Sequence, residues 1–142
     1  MKRDLIIRAE KGVIVLKMRK KFTCPLELTH DMIKGKWKSI ILWRLRLGNT
    51  SLSRLEADIA GISQKMLLEQ LKELIEMGFV DKEVFEGYPL RVEYFLTPKR
   101  GKKILEALTI MQSLGIDFML ENGMEDFLVE KGVIKTSSKN LL

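Results

Sequence analysis

The sequence has a single cysteine and a single histidine among its 142 residues. One thiol, Cys24, excludes an intrachain disulfide framework, and one imidazole, His30 beside Asp31, leaves too few donors for a structural zinc site. Long apolar runs are missing too. Arg8, Glu10 and Lys11 interrupt the stretch from Leu5 to Leu16, far short of the roughly 18 to 20 residues that span a bilayer. The basic start is not followed by a secretory apolar segment with a small-residue cleavage site. No membrane partner is expected, and the premise is a soluble cytoplasmic chain. There is no P-loop, GxGxxG, HExxH or nucleophile elbow. The sequence therefore offers no residue set for an enzyme, and no metal or other cofactor is expected.

What is present is ordinary globular material, 46% hydrophobic and 31% charged. The length suits one domain with an appended dimerisation element. A formal charge of +6, from 25 Lys and Arg against 19 Asp and Glu, draws the molecule toward polyanions. Three segments are expected: an N-terminal arm (1–21), a main domain (22–120) and a C-terminal extension (121–142). In the arm, β-branched residues on either side of Gly12 suit two short strands, and an irregular dimer-wrapping arm is the alternative. In the extension, Met124, Phe127 and Leu128 suit a short docking helix, with frayed polar residues from Lys135 to Asn140.

The main domain has helical periodicity first. A helix is expected from Pro25, capped by Thr23. A second starts near Lys36, with Trp37, Ile40, Ile41, Leu45 and Leu47 on one face, Trp43 to the side, and Gly48 as its stop. Ser51 or Ser53 can cap a short helix carrying Leu52, Leu55 and Ile59. After Gly61, Ser63 opens another helix whose buried stripe is Leu67, Leu71 and Leu74 or Ile75. Two helices joined through a tight glycine connection make a helix-turn-helix. Beyond Gly78 the period changes to that of strands, with Val92, Tyr94 and Leu96 after a loop around Gly87. That pattern predicts a hairpin with a projecting wing. Helical spacing returns from Lys99 to Leu120. The expected fold class is mainly α with a small β-hairpin wing, a winged helix-turn-helix.

In such a fold the helix from Ser63 enters a major groove, and the hairpin reaches the backbone or minor groove of double-stranded DNA. Gln64 and Lys65, in its first turn, are the candidates for base reading, since Gln pairs with adenine and Lys donates to guanine. Solvated first-turn residues are the bland alternative. Lys34, Lys36, Lys38, Arg44, Arg46 and Arg54 form a block without acidic residues. Lys36, Lys38 and Arg54 are its phosphate-contact candidates, joined by Lys72 on the reading helix and Arg91 at the wing. Leu105, Leu108, Met111, Leu114 and Phe118 form a seam that either covers the domain's own core or pairs with a second copy. Cys24 sits before a helix N-terminus and near Lys20 and Lys21, an environment that favours thiolate. It is a redox-sensing candidate, or else a small buried hydrophobe.

Several ordered motifs resemble the HxlR-type winged-helix transcriptional regulators, relatives of the MarR regulators. They are Cys24-Pro25 with Glu27, Gly35-Lys36-Trp37-Lys38, Gly61-Ile62-Ser63-Gln64-Lys65-Met66-Leu67, Gln70-Leu71-Lys72-Glu73-Leu74, Gly78-Phe79-Val80, and Arg91-Val92-Glu93-Tyr94 with Gly101. The resemblance runs from about Cys24 to Phe118. It implies a homodimer joined through the first and last long helices, which adds Leu26 to the dimer-interface candidates, and a cysteine that in some members senses electrophiles or oxidants. Two departures stand out. Lys34-Gly35 replaces the usual glycine pair, and the wing reads Glu86-Gly87-Tyr88-Pro89-Leu90 where prolines are common. The expected function is a homodimeric repressor reading an inverted-repeat operator, with a small-molecule or electrophile effector as a further partner. The alternative is a winged-helix protein-interaction module without specific DNA binding.

Overall fold

The computed structural model describes residues 21–135 together with the backbone of two strands that precede them. The polar end of the chain, beyond Lys135, lies outside the described residues. The two early strands, β1 (Asp4–Ala9) and β2 (Gly12–Lys17), pair antiparallel from Asp4 opposite Lys17 to Ala9 opposite Gly12. The chain divides into two compact units, residues 1–105 and 106–142.

In the first unit, α1 (Pro25–Met32) begins with proline at its first position, where the missing N–H costs nothing. Thr23 does not cap it in the expected way. The N-cap residue is Cys24, and the Glu27 carboxylate instead reaches back to accept the Thr23 backbone N–H at 2.8 Å and its hydroxyl at 2.6 Å. The second helix, α2 (Lys38–Arg44), starts two residues later than expected and passes into a short 3₁₀ turn (Leu45–Leu47) before Gly48. Its buried face is Ile41, Leu42 and Leu45, while Ile40 and Leu47 are exposed. The expected stripe therefore holds at Ile41 and Leu45 and fails at Ile40 and Leu47, with Leu42 buried in their stead. Several apolar residues crowd this short segment, and only packing selects which of them turn inward.

A two-residue strand, β3 (Thr50–Ser51), then α3 (Leu52–Asp58) and α4 (Gln64–Glu76) follow, and the chain next enters the hairpin β4 (Val80–Phe85) and β5 (Arg91–Leu96). The antiparallel sheet has the order β3-β5-β4, with Thr50 opposite Tyr94 and Val80 opposite Leu96. Leu55 of α3, Ile59 just after it, Leu67, Leu71 and Leu74 of α4, and Tyr94 and Leu96 of the sheet bury their side chains in this unit's core. The base of the hairpin is thus anchored, and its outer half, from Glu83 to Arg91, projects as the wing.

Burial pushes the Tyr94 phenol above its ordinary value near 10. A raised folded-state pKa means that the protonated phenol is the form the fold prefers. Its contribution is fully present below about pH 10 and is lost as pH rises through the folded value. The difference in unfolding free energy between wild type and Tyr94→Phe is expected to be constant below pH 10 and to tilt against wild type above it. Urea titrations at several alkaline pH values would measure this, and a flat difference would remove the linkage.

The last long helix, α5 (Arg100–Glu121), starts in the first unit, where Ile104 joins the core, and runs on into the second. In the second unit it ends at Glu121; the side chain of Asn122, the next residue, donates to the Phe118 carbonyl, and Met124 N–H bonds back to Met119 O at 2.9 Å. A short helix, α6 (Glu125–Glu130), follows, with Leu128 buried.

Candidate nucleic-acid interface

The site is assembled by two capping serines. Ser51 Oγ accepts the Arg54 N–H at 3.3 Å and opens α3, and Ser63 Oγ accepts the Met66 N–H at 3.1 Å and opens α4. Each satisfies a donor that the first helical turn leaves without a partner. Ser53, the other capping candidate, is the second residue of α3, and its hydroxyl lies 3.2 Å from Ser51 Oγ. Between the helices, Gly61 has φ +85°, a left-handed backbone that a side chain would strain, although a Cβ there would meet nothing closer than Trp37 at 3.8 Å. Ile62 and Leu67 are both buried and brace the entry to α4.

With Leu67, Leu71 and Leu74 turned inward, helical geometry leaves Gln64, Lys65, Glu69 and Lys72 on the outer face, and all four are exposed. Leu68 shares that face and is 44% exposed. It was not singled out in the sequence because a leucine beside Leu67 looks like more core; its phase is the signal that sets it apart. Gln64 also lines an open cleft of about 900 Å³, bounded by Ser51 and Ser53 on one side and by Tyr88, Pro89 and Arg91 of the wing on the other. Tyr88 is fully exposed at the wing tip.

The basic candidates are placed unequally. Arg54 is 71% exposed and lies 3.6 Å from Asp58, and exposed Lys36 folds over the Trp37 ring at 4.5 Å. Lys72 is exposed. Arg91 is 62% exposed, 3.4 Å from Glu93 and 4.3 Å above the Phe85 ring. Lys38 departs from the expectation. It is buried, with its ammonium 2.5 Å from Glu73 and 2.8 Å from Gln70 Oε1, so its charge is spent inside the protein. Arg44 pairs with Asp58 across α2 and α3. Arg46 lies over Trp43 and donates to the Trp43 carbonyl, and desolvation, then repulsion from Arg44, lower its pKa. Across the hairpin, Asp81, Glu83, Glu86 and Glu93 outnumber Lys82 and Arg91, and on the wing itself Glu83 and Glu86 outnumber Arg91.

Away from this face, Cys24 is exposed, which removes the buried-hydrophobe reading. Of the dimer candidates, Leu26 is 74% exposed, and Met111, Leu114 and Phe118 are also exposed, as is Ile110 between them. Leu105 is half-buried. Leu108 is buried within the chain and so does not offer its side chain to a second copy. Among the described residues, no helix is long and apolar enough to cross a membrane.

Capped helices α3 and α4 set at a glycine turn, a three-stranded sheet and a projecting wing define a winged helix-turn-helix, a DNA-binding class. Residues 32–122 match the family described as HxlR-like helix-turn-helix, and the chain belongs to that family of transcriptional regulators, which is related to the MarR regulators. The chain is 37% identical over 106 residues to the putative regulatory protein MalR of Fusobacterium mortiferum, covering 72% of this chain and 97% of that protein. Among solved structures it is similar to the redox regulator HypR in its reduced form, with TM-score 0.63 and 34% identity over 66% of this chain and 92% of that one. It is also similar to the reduced form of the transcriptional regulator YodB from B. subtilis, with TM-score 0.58 and 31% identity over 65% of this chain and 90% of that one.

Proposed function

We propose that the protein is a homodimeric repressor in which each α4 reads one half-site of an inverted repeat. The observation that carries this reading is the outer face of α4. There Gln64 and Lys65 stand exposed in the first turn, and Gln64 lines the open cleft between α3 and the wing. In this reading Gln64 and Lys65 contact base edges, and Leu68 meets a thymine methyl. Arg54, Lys36, Lys72 and Arg91 contact phosphates. Residues 22–120 carry the function, flanked by the arm and the C-terminal extension. Leu26, Leu105, Met111, Leu114 and Phe118 contribute to dimer contacts in this reading, and two reading heads then match half-sites about one helical turn apart.

An effector acts through Cys24 in this proposal. Its support is an exposed thiol at the N-terminus of α1, together with the likeness to HypR and YodB, the first of which is described as a redox regulator. A second reading, a protein-interaction module, is favoured by one feature, the surplus of carboxylates on the wing.

The deciding experiment is equilibrium binding to the duplex upstream of the protein's own coding region, against a shuffled duplex at about 0.15 M salt. A preference of about 10³ or more is the expected result. Equal weak binding to both would reject that region as a target, and no binding to either would favour the interaction module.

A further inference from the structure

The cation of Lys38 lies on the first residue of α2, yet it serves α4. Its ammonium bonds Gln70 Oε1 at 2.8 Å and Glu73 Oε2 at 2.5 Å, two side chains nearly one turn apart on the same helix. The Lys38 side chain is only 11% exposed and that of Glu73 51%, so the ammonium is largely withdrawn from water while the carboxylate stays open to it. Gln70 passes the contact on. Its Nε2 lies 3.5 Å from Met66 Sδ, and the Met66 N–H is the donor held by the Ser63 cap. A bonded line thus runs from α2, along α4, to the turn that presents Gln64 and Lys65. Apolar packing of Leu67, Leu71 and Leu74 holds α4 against the core but is tolerant of small rotations, because leucine contacts are not directional. Two charge-assisted bonds from one ammonium instead tie two separate side chains of α4 to a single point on α2.

We propose that Lys38 is a positioning residue: it sets the rotation of α4 about its own axis and thereby the aim of the reading turn, without touching DNA. This inference rests on the reading of α4 as the recognition helix. A direct phosphate ligand and a positioning residue leave different marks. Each phosphate contact contributes about 0.9 to the slope of log K against log salt concentration. A residue that aims the helix leaves that slope alone and changes the ratio of affinities for preferred and non-preferred duplexes.

The test begins by selecting a preferred duplex from a random pool with the wild-type protein. Affinities of wild type, Lys38→Met, Lys38→Arg and Gln70→Leu for that duplex and a shuffled one are then measured across a salt series, and folding of each variant is checked by thermal melting. Lys38→Met is expected to lower the specificity ratio at least tenfold with an unchanged salt slope. Gln70→Leu should lower it in the same direction, which keeps the idea testable if Lys38→Met fails to fold. Lys38→Arg, which can still bond both partners, should recover part of the loss. A slope reduced by about 0.9 with the ratio intact would make Lys38 a phosphate ligand and overturn the proposal, as would folded variants with wild-type ratio and slope. If the wild-type protein selects no sequence at all, the DNA-reading function itself falls, a result distinguishable from the other two.

Discussion

Gly101→Ala is expected to lower the melting temperature by roughly 10 °C, while Gly115→Ala, the same change on the same helix, is expected to raise it. A Cβ at Gly101 would lie 2.4 Å from the Phe79 carbonyl oxygen and 3.0 Å from the Leu96 carbonyl carbon. Both are backbone atoms, so no flexible side chain can swing aside. Nor can the Phe79 carbonyl yield cheaply, because it accepts the Thr97 N–H at 3.0 Å in a small bonded knot. Within that knot the Thr97 hydroxyl donates to Gly78 O at 2.7 Å and accepts the Gly101 N–H at 2.8 Å. Overpacking of this kind costs about 3 kcal/mol, and about 3 °C is lost per kcal/mol in a domain of this size. Gly115 lies within α5 with nothing within 4 Å of its would-be Cβ. There alanine simply has the better helix propensity, by about 1 kcal/mol. Thermal unfolding followed by circular dichroism measures both, and a Gly101→Ala melting point within about 2 °C of wild type would refute the close-approach argument.

Replacing Gln64 and Lys65 together with alanine is expected to weaken binding to the preferred duplex by about 10² to 10³-fold, since each base-reading contact is worth about 1–3 kcal/mol. Binding to a shuffled duplex should fall much less, because phosphate contacts from Arg54 and its neighbours remain. Stability should hardly change. Both side chains are exposed, and the Ser63 cap and the leucine stripe that hold the helix are untouched. Arg54→Ala provides the contrast, with weaker binding to every duplex and a salt slope shallower by about 0.9. If the double variant lost equally on both duplexes, Gln64 and Lys65 would be phosphate contacts rather than readers, and base recognition would have to be sought at Leu68 and the wing.

How far the fold could be read in advance depended on how strong each local signal was. Ser63, Ile62, Leu67 and Gly61 lie within seven residues and agree on a capped helix after a tight turn, so the start of α4 was legible to the residue. The wing was legible from Gly87 between two runs of strand spacing. The strand β3 was not, because two residues carry no period. On α2 and the 3₁₀ turn after it, Ile40, Ile41, Leu42, Leu45 and Leu47 satisfy several helical phases at once, and only the neighbouring helices choose among them. The same ambiguity hid Leu68.

For the site, the sequence by itself determined the kind of surface: a capped helix with Gln64 and Lys65 in its first turn, a basic block from Lys34 to Arg54, and a loop ending in Arg91. Residue chemistry and spacing suffice for that, because caps, turns and helical faces are local. Which charges remain free was decided only by tertiary structure. Lys36 and Lys38 are two residues apart and chemically identical, yet one is solvated over Trp37 and the other is enclosed between Gln70 and Glu73, more than thirty positions further along the chain. Burial and ion pairing depend on what other elements bring alongside, and that information is absent from any short stretch of sequence.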